Sequence, residues 1–202
     1  PLQGTVGNNA WYLIALNTYT TGANDPEFVD TAKDIVRGIL NQQKTNGGFA
    51  SMMTVDGKQV FTQSAEQNID AYRALKIWRE YLVKDPANKD IVDAIDAALK
   101  KNLAWFKDAV FNKDTGFFRQ GYDVEIVDGQ EVYKPNESVA VDVQAWAITS
   151  GLIADLAKED PATFSPEMVY KLMTNLKDKK YMITVAYFDG IRKIRSEEHT
   201  SE

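Results

Sequence analysis

A unit of two helices followed by a turn-rich segment recurs three times along the sequence, and this repeat constrains the fold more than any other feature. Each unit begins with a segment that is apolar on nearly all sides; these segments are Ala10–Leu16, Ile69–Leu82 and Val139–Leu156. A helix without a polar face is a buried helix, because none of its sides is suited to water. We therefore expect three enclosed helices.

A second kind of helix, with a single apolar stripe, alternates with the enclosed kind. Apolar residues recur every three or four positions in two segments, which are Phe28, Ala32, Ile35, Val36 and Ile39, and Ile91, Ile95, Leu99, Leu103 and Phe106. This spacing is typical of a half-exposed helix. Asp25-Pro26-Glu27 predicts the start of the first one, because it offers a capping aspartate, a first-turn proline and an acid near the positive helix end.

The turn-rich segments contain two recurring patterns. Asn46-Gly47-Gly48-Phe49 is echoed by Asp114-Thr115-Gly116-Phe117, and an Asp-Gly pair near β-branched residues occurs in Val55–Val60 and again in Val127–Val132. Asp-Gly in that setting is a strong signal for a two-residue β-hairpin turn. Tyr187–Ile191 is predicted to be a third copy.

Equivalent positions of the three units are marked by alanine before an aromatic residue, at Ala10-Trp11, Ala71-Tyr72 and Ala145-Trp146. Their spacing, roughly 60 to 75 residues, is longer than the period of the common helical solenoids. Enclosed helices inside and half-exposed helices outside form two concentric layers. We therefore predict an all-α fold, a partial (α/α)6-type toroid of helical hairpins with short β-hairpin connections, of which about three are present.

Both ends of the chain look unnatural. The sequence starts at Pro1, and Arg195–Glu202 resembles the in-frame translation of a sequencing adapter. We therefore expect a partial toroid domain at residues 1–194, truncated at both ends, and a non-native tail at residues 195–202. The single histidine, His199, falls in this tail, which excludes histidine-based catalysis for residues 1–194. Because half a ring leaves apolar helices without neighbours, we expect the isolated chain to self-associate.

The composition excludes several classes of function. The chain has no cysteine, which rules out a disulfide scaffold, thiol catalysis and cysteine-ligated metals. A net charge of −6 without a basic block argues against nucleic acid as a partner. No apolar run approaches the length of a membrane helix. We expect neither a metal nor a cofactor.

Three strings at the starts of the enclosed helices carry a resemblance to known proteins; these strings are Gly7-Asn8-Asn9-Ala10-Trp11, Ser64–Tyr72 and Asp142–Ala147. They resemble the six-hairpin glycosidase superfamily, the (α/α)-barrel carbohydrate-active enzymes, over about Gly4 to Gly190. The resemblance implies a saccharide substrate and one of several activities, among them hydrolase, lyase, epimerase and phosphorylase. Gln67 departs from the family pattern, in which histidine is common at this position.

In a toroid of this kind the enclosed helices begin at one mouth, where first-turn polar residues and aromatic walls suit the hydroxyl edges and apolar faces of sugars. The polar candidates for substrate binding are Asn8, Asn9, Asn68 and Gln144. The aromatic candidates are Trp11, Tyr72 and Trp146. Arg119 and Tyr122, in the second hairpin region, are further candidates, and Arg119 is suited to an acidic sugar because guanidinium binds carboxylate with two hydrogen bonds.

Glycoside hydrolysis normally uses two carboxyl groups, one protonated and one ionised. Asp70 and Asp142, from neighbouring enclosed helices, are the leading candidates, and Glu66 is the third. Each has a structural interpretation beside the catalytic one: Glu66 suits the positive end of a helix, and Asp70 is positioned to pair with Arg73 one turn later. Asp142 lies in an apolar segment, where a carboxylate is costly unless it has partners or lines a wet cavity.

Together these features favour a glycoside hydrolase that acts on an oligosaccharide or polysaccharide by carboxylate acid–base catalysis. A non-catalytic saccharide-binding or scaffold toroid stays open, because the same aromatic residues would serve it. An isoprenoid-type toroid enzyme is a third alternative, prompted by Gln42-Gln43 ahead of the first glycine-rich turn, although no aspartate-rich or zinc site is visible. The compartment stays open, with a slight preference for a secreted or periplasmic location.

Overall fold

Helices lie where the hydrophobic pattern predicts them. The computed structural model describes residues 5–55, 58–165, 167, 168, 170 and 172. The helices are α1 (Val6–Ala23), α2 (Val29–Leu40), α3 (Ala65–Leu82), α4 (Lys89–Trp105), α5 (Val141–Thr149) and α6 (Leu152–Glu159). A 3₁₀ turn, Pro86–Asn88, precedes α4, and a π-helical turn, Phe106–Val110, follows it. The predicted third hairpin at Tyr187–Ile191 and the tail at residues 195–202 lie outside the described residues.

Helix α3 is the centre of the molecule. It packs against α1, α4 and α5, and its side chains contribute to two hydrophobic clusters. In the first cluster Trp78 is fully buried, and its indole N–H donates a 2.7 Å hydrogen bond to the Leu13 carbonyl of α1. In the second, Ile69 packs with Phe106 and Phe118. Each large side chain buried in this way stabilises the fold by about 1.5–3 kcal/mol.

The prediction that α1 is fully enclosed is wrong for one of its faces. Trp11, Tyr12 and Tyr19 are 51%, 47% and 46% exposed, although Ala10 and Leu13 on the same helix are completely buried. Tyr12 and Tyr19 lie two turns apart on one face of α1, and Trp11 lies about 100° round the helix from Tyr12; we call these three residues the aromatic stripe. This stripe is only partly covered, since Trp11 stacks on Trp146 of α5 and Tyr19 packs edge-on against Phe28.

The third segment predicted as one enclosed helix, Val139–Leu156, is instead two short helices. Helix α5 ends at Thr149, Gly151 adopts a φ of +85°, and α6 starts at Leu152. A left-handed residue ends an α-helix, and glycine adopts this conformation without steric cost. Helix α6 is then amphipathic and buries Leu152, Ile153 and Leu156.

The helix starts are set by short-range hydrogen bonds. Helix α2 begins at Val29 rather than at the predicted Asp25-Pro26-Glu27, because the Asp25 carboxylate accepts the Glu27 N–H at 3.0 Å and forms a separate turn. Helix α3 begins after Ser64, whose hydroxyl accepts the Gln67 N–H at 3.4 Å. This cap fixes the direction in which the first turn of α3, including Glu66, emerges.

The hairpins form one four-stranded antiparallel sheet in the order β1 (Ser51–Val55), β2 (Lys58–Ser64), β5 (Gly121–Val127), β6 (Gln130–Asn136). The predicted turn between β5 and β6 is confirmed, since Asp128 and Gly129 both have positive φ, as a type I′ turn requires. In the first hairpin Val55 pairs with Lys58, while Asp56 and Gly57 lie outside the described residues. A two-stranded ladder, β3 (Phe111–Asn112) and β4 (Phe117–Phe118), precedes the second hairpin.

The pairing of the two hairpins with each other was not predicted. Strand β2 pairs with β5 from Phe61–Val124 to Ser64–Gly121. Because β2 runs directly into α3, and the segment after β6 leads into α5, this pairing brings the starts of α3 and α5 to the same end of the molecule.

Two buried amides show how successive units correspond. The Asn68 side chain accepts the Phe49 N–H at 2.7 Å and donates to the Phe49 carbonyl at 2.9 Å. The Gln144 side chain does the same to Phe118, at 2.9 and 2.8 Å. The same clamp therefore holds a glycine-turn aromatic residue in each unit, and it identifies Asn68 with Gln144 and Phe49 with Phe118.

This correspondence corrects the predicted one. The alanine–aromatic pattern aligns Ala71 with Ala145. The amide clamp instead aligns Asn68 with Gln144, which are 76 residues apart, two more than in the predicted alignment. In the observed register Glu66 of α3 corresponds to Asp142 of α5, and Asp70 corresponds to Trp146. None of the helices in the described part of the chain is long and apolar enough to cross a membrane.

Candidate functional site

Helices α1, α3 and α5 meet at the carboxylate of Asp70. This side chain is 3% exposed, and its Oδ1 accepts the indole N–H of Trp146 from α5 at 2.7 Å. The indole of Trp11 from α1 approaches the same carboxylate closely enough to favour its charged form. The predicted ion pair with Arg73 is replaced by this contact with indole groups, since Asp70 faces the neighbouring helices.

The surroundings of Asp70 raise its pKa well above the value of an ordinary aspartate. Burial raises the pKa of Asp70 to about 6, the hydrogen bond from Trp146 opposes this, and the charge of Glu66 raises the pKa further. A carboxyl group with such a pKa is partly protonated in mildly acidic solution, which is unusual for an aspartate. Perturbed carboxyl groups of this kind are concentrated at functional sites.

Trp11 and Trp146 form an aromatic stack above Asp70. Their ring centroids are 5.6 Å apart and their planes differ by 14°. Trp11 remains half-exposed, so the stack presents an aromatic surface to solvent next to a buried acid. Gly7 permits this arrangement, because a Cβ there would lie 2.9 Å from Gln67 Cγ and 3.3 Å from Asp70 Oδ2. A larger residue would push α1 away from α3.

Glu66 and Asp142 are exposed acids in the first turns of α3 and α5. Partial burial raises the pKa of Glu66, and the charge of Asp142 raises it further. The two carboxylates are therefore close enough to interact electrostatically. One oxygen of Asp142 accepts its neighbour's N–H, that of Val143, at 2.8 Å. The structure thus brings the three acids predicted from the sequence into one region, with Asp70 buried and the other two exposed.

Three predicted substrate-binding residues have structural roles instead. Asn68 and Gln144 are completely buried and are saturated by the backbone of Phe49 and Phe118. Tyr72 is 4% exposed, and its hydroxyl donates to Asp155 at 2.9 Å. A ligand cannot reach these side chains without opening the core.

Arg119 and Tyr122 hold the second hairpin against the π-helical turn. Arg119 donates to the Ala109 carbonyl at 2.6 Å and to Glu137 at 2.7 Å, and the Tyr122 hydroxyl donates to the same carbonyl at 2.9 Å. These bonds give Arg119 and Tyr122 a structural role, which is to hold the segment after the Gly116 turn in place. The guanidinium group of Arg119, which was predicted to bind the carboxylate of an acidic sugar, is thus bound to the carboxylate of Glu137.

Asn8 and Asn9 lie in the first turn of α1. Asn8 is exposed, and Asn9 is half-buried and donates to the Thr5 carbonyl at 3.2 Å. Both line an open cleft of about 1220 Å³ between α1, the end of α2 and the first hairpin. Sequence reasoning missed the other residues of this cleft, although the run of amides at Asn41-Gln42-Gln43 is a visible signal.

No group of three or more His, Cys, Asp and Glu side chains among the described residues is arranged to hold a metal ion.

Comparison with known proteins gives a structural likeness without a sequence match. No family model and no curated protein matches the chain. The fold is similar to a GH76 α-1,6-mannanase of Salegentibacter sp. HEL1_6, with 15% identity over 85% of this chain and 46% of that chain and a TM-score of 0.53. An inactive variant of that enzyme, with two aspartates changed to asparagine and α-1,6-mannotriose bound, matches at 16% identity, with the same coverage and TM-score.

A GH78 family rhamnosidase of Bacillus sp. GL1 is similar as well, with 14% identity over 93% of this chain and 21% of that chain and a TM-score of 0.54. The fold is therefore of the helical type found in these glycoside hydrolases. The chain spans less than half the length of each of them. The two aspartates changed in the inactive mannanase are consecutive, whereas the present sequence contains no two consecutive aspartates.

Proposed function

We propose that this protein is a carbohydrate-active enzyme of the glycoside hydrolase type and acts on an oligosaccharide or polysaccharide. The observation that carries the proposal is the placement of Glu66 and Asp142 at corresponding positions of two neighbouring helices, beside a stacked pair of tryptophans. Hydrolysis of a glycosidic bond needs two carboxyl groups on either side of the sugar, and indole rings bind the apolar faces of sugar rings.

The two exposed acids have different roles in this proposal. Burial and the charge of Asp142 raise the pKa of Glu66, so Glu66 is the general acid that protonates the leaving oxygen. Asp142 is the base that activates water. This division follows the general rule that paired carboxyl groups in different environments take opposite roles.

Asp70 is a positioning residue in this scheme rather than one of the acid–base pair. At 3% exposure, with one oxygen bound to Trp146, its carboxylate does not reach a glycosidic oxygen. Its contacts instead fix the orientation of the Trp146 and Trp11 rings, which form the platform for the sugar. The sequence ranks Asp70 above Glu66, and the geometry favours the reverse order.

A non-catalytic saccharide-binding protein is the second candidate. The observation that favours it is the half-exposed Trp11 stacked on Trp146, an aromatic surface that suits the apolar face of a sugar without any acid–base pair. The same tryptophan platform would bind the saccharide, and the acids would contribute hydrogen bonds only.

Substitution of each acid separates the two candidates. Glu66→Gln and Asp142→Asn are compared with wild type and with Glu80→Gln, an exposed glutamate of α3 far from its first turn. Hydrolysis is measured as reducing sugar released from α-1,6-mannotetraose and other tetrasaccharides, and binding by calorimetry. We expect each acid variant to lose about 10²–10⁴-fold in kcat while it still binds the saccharide. Glu80→Gln should resemble wild type.

Two outcomes contradict the catalytic proposal. Full activity in both acid variants would show that the acid–base pair lies elsewhere. Saccharide binding by wild type without turnover of any substrate would favour the binding protein instead.

A further inference from the structure

The cleft beside the α1 N-terminus is separate from the three acids and is built from three elements. Its walls come from the first turn of α1, the last turn of α2 and the first hairpin, with Ile35 and Ile39 of α2 buried beneath it. Its volume of about 1220 Å³ exceeds the roughly 300–1,000 Å³ of a typical small-molecule pocket. The cleft therefore has room for more than one sugar ring.

Side-chain amides dominate the polar part of this cleft. Asn8, Asn9, Asn41 and Gln42 all line it. An amide offers both a donor and an acceptor, as a sugar hydroxyl does, so an amide and a pair of vicinal hydroxyls are complementary. Asn8, Asn41 and Gln42 are exposed, and their side chains are accessible to a ligand in the cleft.

The first hairpin supplies the apolar part of the cleft. Met52 of β1 and Phe61 of β2 are direct cross-strand partners, so their side chains lie on the same face of the sheet. Met52 is 54% exposed. Lys44 covers one face of Phe61, with its Nζ 4.8 Å from the ring centroid. An apolar wall together with hydrogen-bonding groups is the combination that sugar rings require.

The charged groups of the cleft cancel each other. Its lining contains Arg37 and Asp34, which form an ion pair at 2.8 Å within α2. The arginine therefore already has a carboxylate partner. This balance favours a neutral ligand over a phosphate or a uronic acid.

A short hydrogen-bonded bridge connects the cleft to the acidic site. The Ser51 hydroxyl, which lines the cleft, accepts the Val6 N–H at 2.9 Å and donates to Gln67 Oε1 at 2.6 Å. Gln67 in turn contacts Gly7, which lies against Asp70. The first turn of α1 thus contributes Val6 to the cleft and Gly7 to the surroundings of Asp70.

We infer that this cleft is a second saccharide subsite. It binds neutral sugar units at one end of an oligosaccharide whose other end lies at Glu66 and Asp142. The inference rests on the proposed function for its substrate class. Asn41 and Gln42 bind hydroxyl groups, and Met52 and Phe61 contact ring faces.

The test uses the full chain and three neutral tetrasaccharides: α-1,6-mannotetraose, isomaltotetraose and cellotetraose. Binding is followed by NMR through side-chain amide and methionine methyl signals, and affinity is measured by calorimetry. An Asn41→Ala/Gln42→Ala variant is compared with Gln130→Ala, an exposed amide on β6 outside the cleft. Unchanged melting temperatures establish that both variants fold.

We expect at least one tetrasaccharide to shift signals of Asn8, Asn41, Gln42 and Met52, and the double variant to bind it about tenfold more weakly. Mannose alone should bind wild type more weakly than the tetrasaccharide does, because a single ring does not span both sites. Shifts confined to Trp11 and Trp146, equal affinity in the double variant, or no binding of any tetrasaccharide would overturn the inference.

The outcome for the cleft is distinguishable from that for the proposed function. Cleft signals that shift in a wild-type protein without hydrolytic activity would support the subsite and refute the hydrolase. Hydrolysis that depends on Glu66 and Asp142 but is insensitive to the double variant would do the opposite.

Discussion

Trp146 donates its indole N–H to Asp70 across 2.7 Å, and this bond joins two residues that hold the same position in successive units of the fold. The repeat thus places an acid in one unit and its hydrogen-bond donor in the next. Because the carboxylate is buried, its protonation state and the position of the indole depend on each other. Two predictions follow from this coupling.

Replacement of Asp70 by asparagine should change how stability depends on pH. Burial raises the pKa of Asp70 from its ordinary 3.8 to about 6, so between these values the folded protein holds a proton that the unfolded chain has released. This group therefore lowers the free energy of unfolding as pH rises through that window, by about 2–3 kcal/mol. The Asp70→Asn variant lacks this loss, and its amide oxygen still accepts the indole N–H.

Urea denaturation of both proteins at pH 4 and at pH 7 measures the effect. The free energy of unfolding of the variant, relative to wild type, should increase by about 2–3 kcal/mol between the two pH values. If the free energies of unfolding of variant and wild type differed by the same amount at both pH values, the pKa of Asp70 would not be raised in the folded protein.

Trp146→Phe should raise the pKa of Asp70 further. The substitution retains an aromatic ring in the stack but removes the N–H whose hydrogen bond lowers that pKa. At neutral pH the loss of a hydrogen bond to a charged group should also reduce the free energy of unfolding by about 1.5–3 kcal/mol. A carboxyl ¹³C titration by NMR checks the first effect, with Trp11→Phe, on the half-exposed ring, as the milder comparison.

Asn68→Ala should be among the most destabilising changes on α3. It leaves the buried N–H and carbonyl of Phe49 without partners. It also removes one of the two acceptors of the Asn102 amide, which donates to Asn68 at 3.0 Å and to the Gly47 carbonyl at 3.2 Å. We expect a loss of about 3 kcal/mol in thermal or urea unfolding. Gln130→Ala, at an exposed amide, should change stability by less than about 0.5 kcal/mol. Equal effects of the two variants would argue against the clamp.

Glycine is required at position 121 and not at position 22. Gly121 has a φ of +129°, and a Cβ there would lie 1.9 Å from the Gln63 carbonyl oxygen. Gly121→Ala should therefore break the β2–β5 pairing and cost about 3 kcal/mol or more. Gly22 on α1 has open space around it, and Gly22→Ala should stabilise the protein by up to about 1 kcal/mol. Calorimetric melting of both variants tests the contrast.

The aromatic stripe on α1 should promote self-association. Tyr12 and Tyr19 expose aromatic surface on one face of α1, and the half of Trp11 that is not stacked on Trp146 adds to it; soluble proteins tend to bury such surface against partners. Sedimentation velocity over a range of concentrations should reveal dimers or larger species, and Tyr12→Lys should shift the equilibrium towards monomer. A wild-type protein that sediments as a monomer at all concentrations would contradict this prediction.

The helices could be predicted from the sequence because their hydrophobic pattern is local and strong. The hairpin turn at Asp128-Gly129 could also be predicted, since the required positive φ values leave few alternatives to Asp-Gly. The break at Gly151 was missed because the surrounding residues are apolar throughout, and a glycine within such a run gives no sign of its φ.

Long-range relationships were less accessible. The pairing of β2 with β5 depends on where two separate helices place their strands, and neither strand encodes its partner. The register of the units was misjudged because alanine before an aromatic residue is a common pattern, whereas the amide clamp is visible only in three dimensions. For the same reason the partner of Asp70 is Trp146, 76 residues away, rather than Arg73.

The candidate site was predicted in part. First-turn acids such as Glu66 and Asp142 stand out in sequence, and the charge of Asp142 acts on Glu66; their catalytic role stays a prediction. Burial is what separates Asp70, Asn68 and Tyr72 from the exposed candidates, and burial depends on the packing of helices that come from distant parts of the chain.

The hydrogen bonds between β2 and β5 join the two helical units across their border, so neither unit is structurally complete by itself. A recombination event or an engineered split that respects the helix pairs would leave the β2 edge from Phe61 to Ser64 unmatched, and an open strand edge recruits strands from other molecules. Insertions or exchanges of whole units are therefore best tolerated when their breakpoints fall in the hairpin turns, between β1 and β2 and between β5 and β6. Each exchanged segment then carries both β2 and β5.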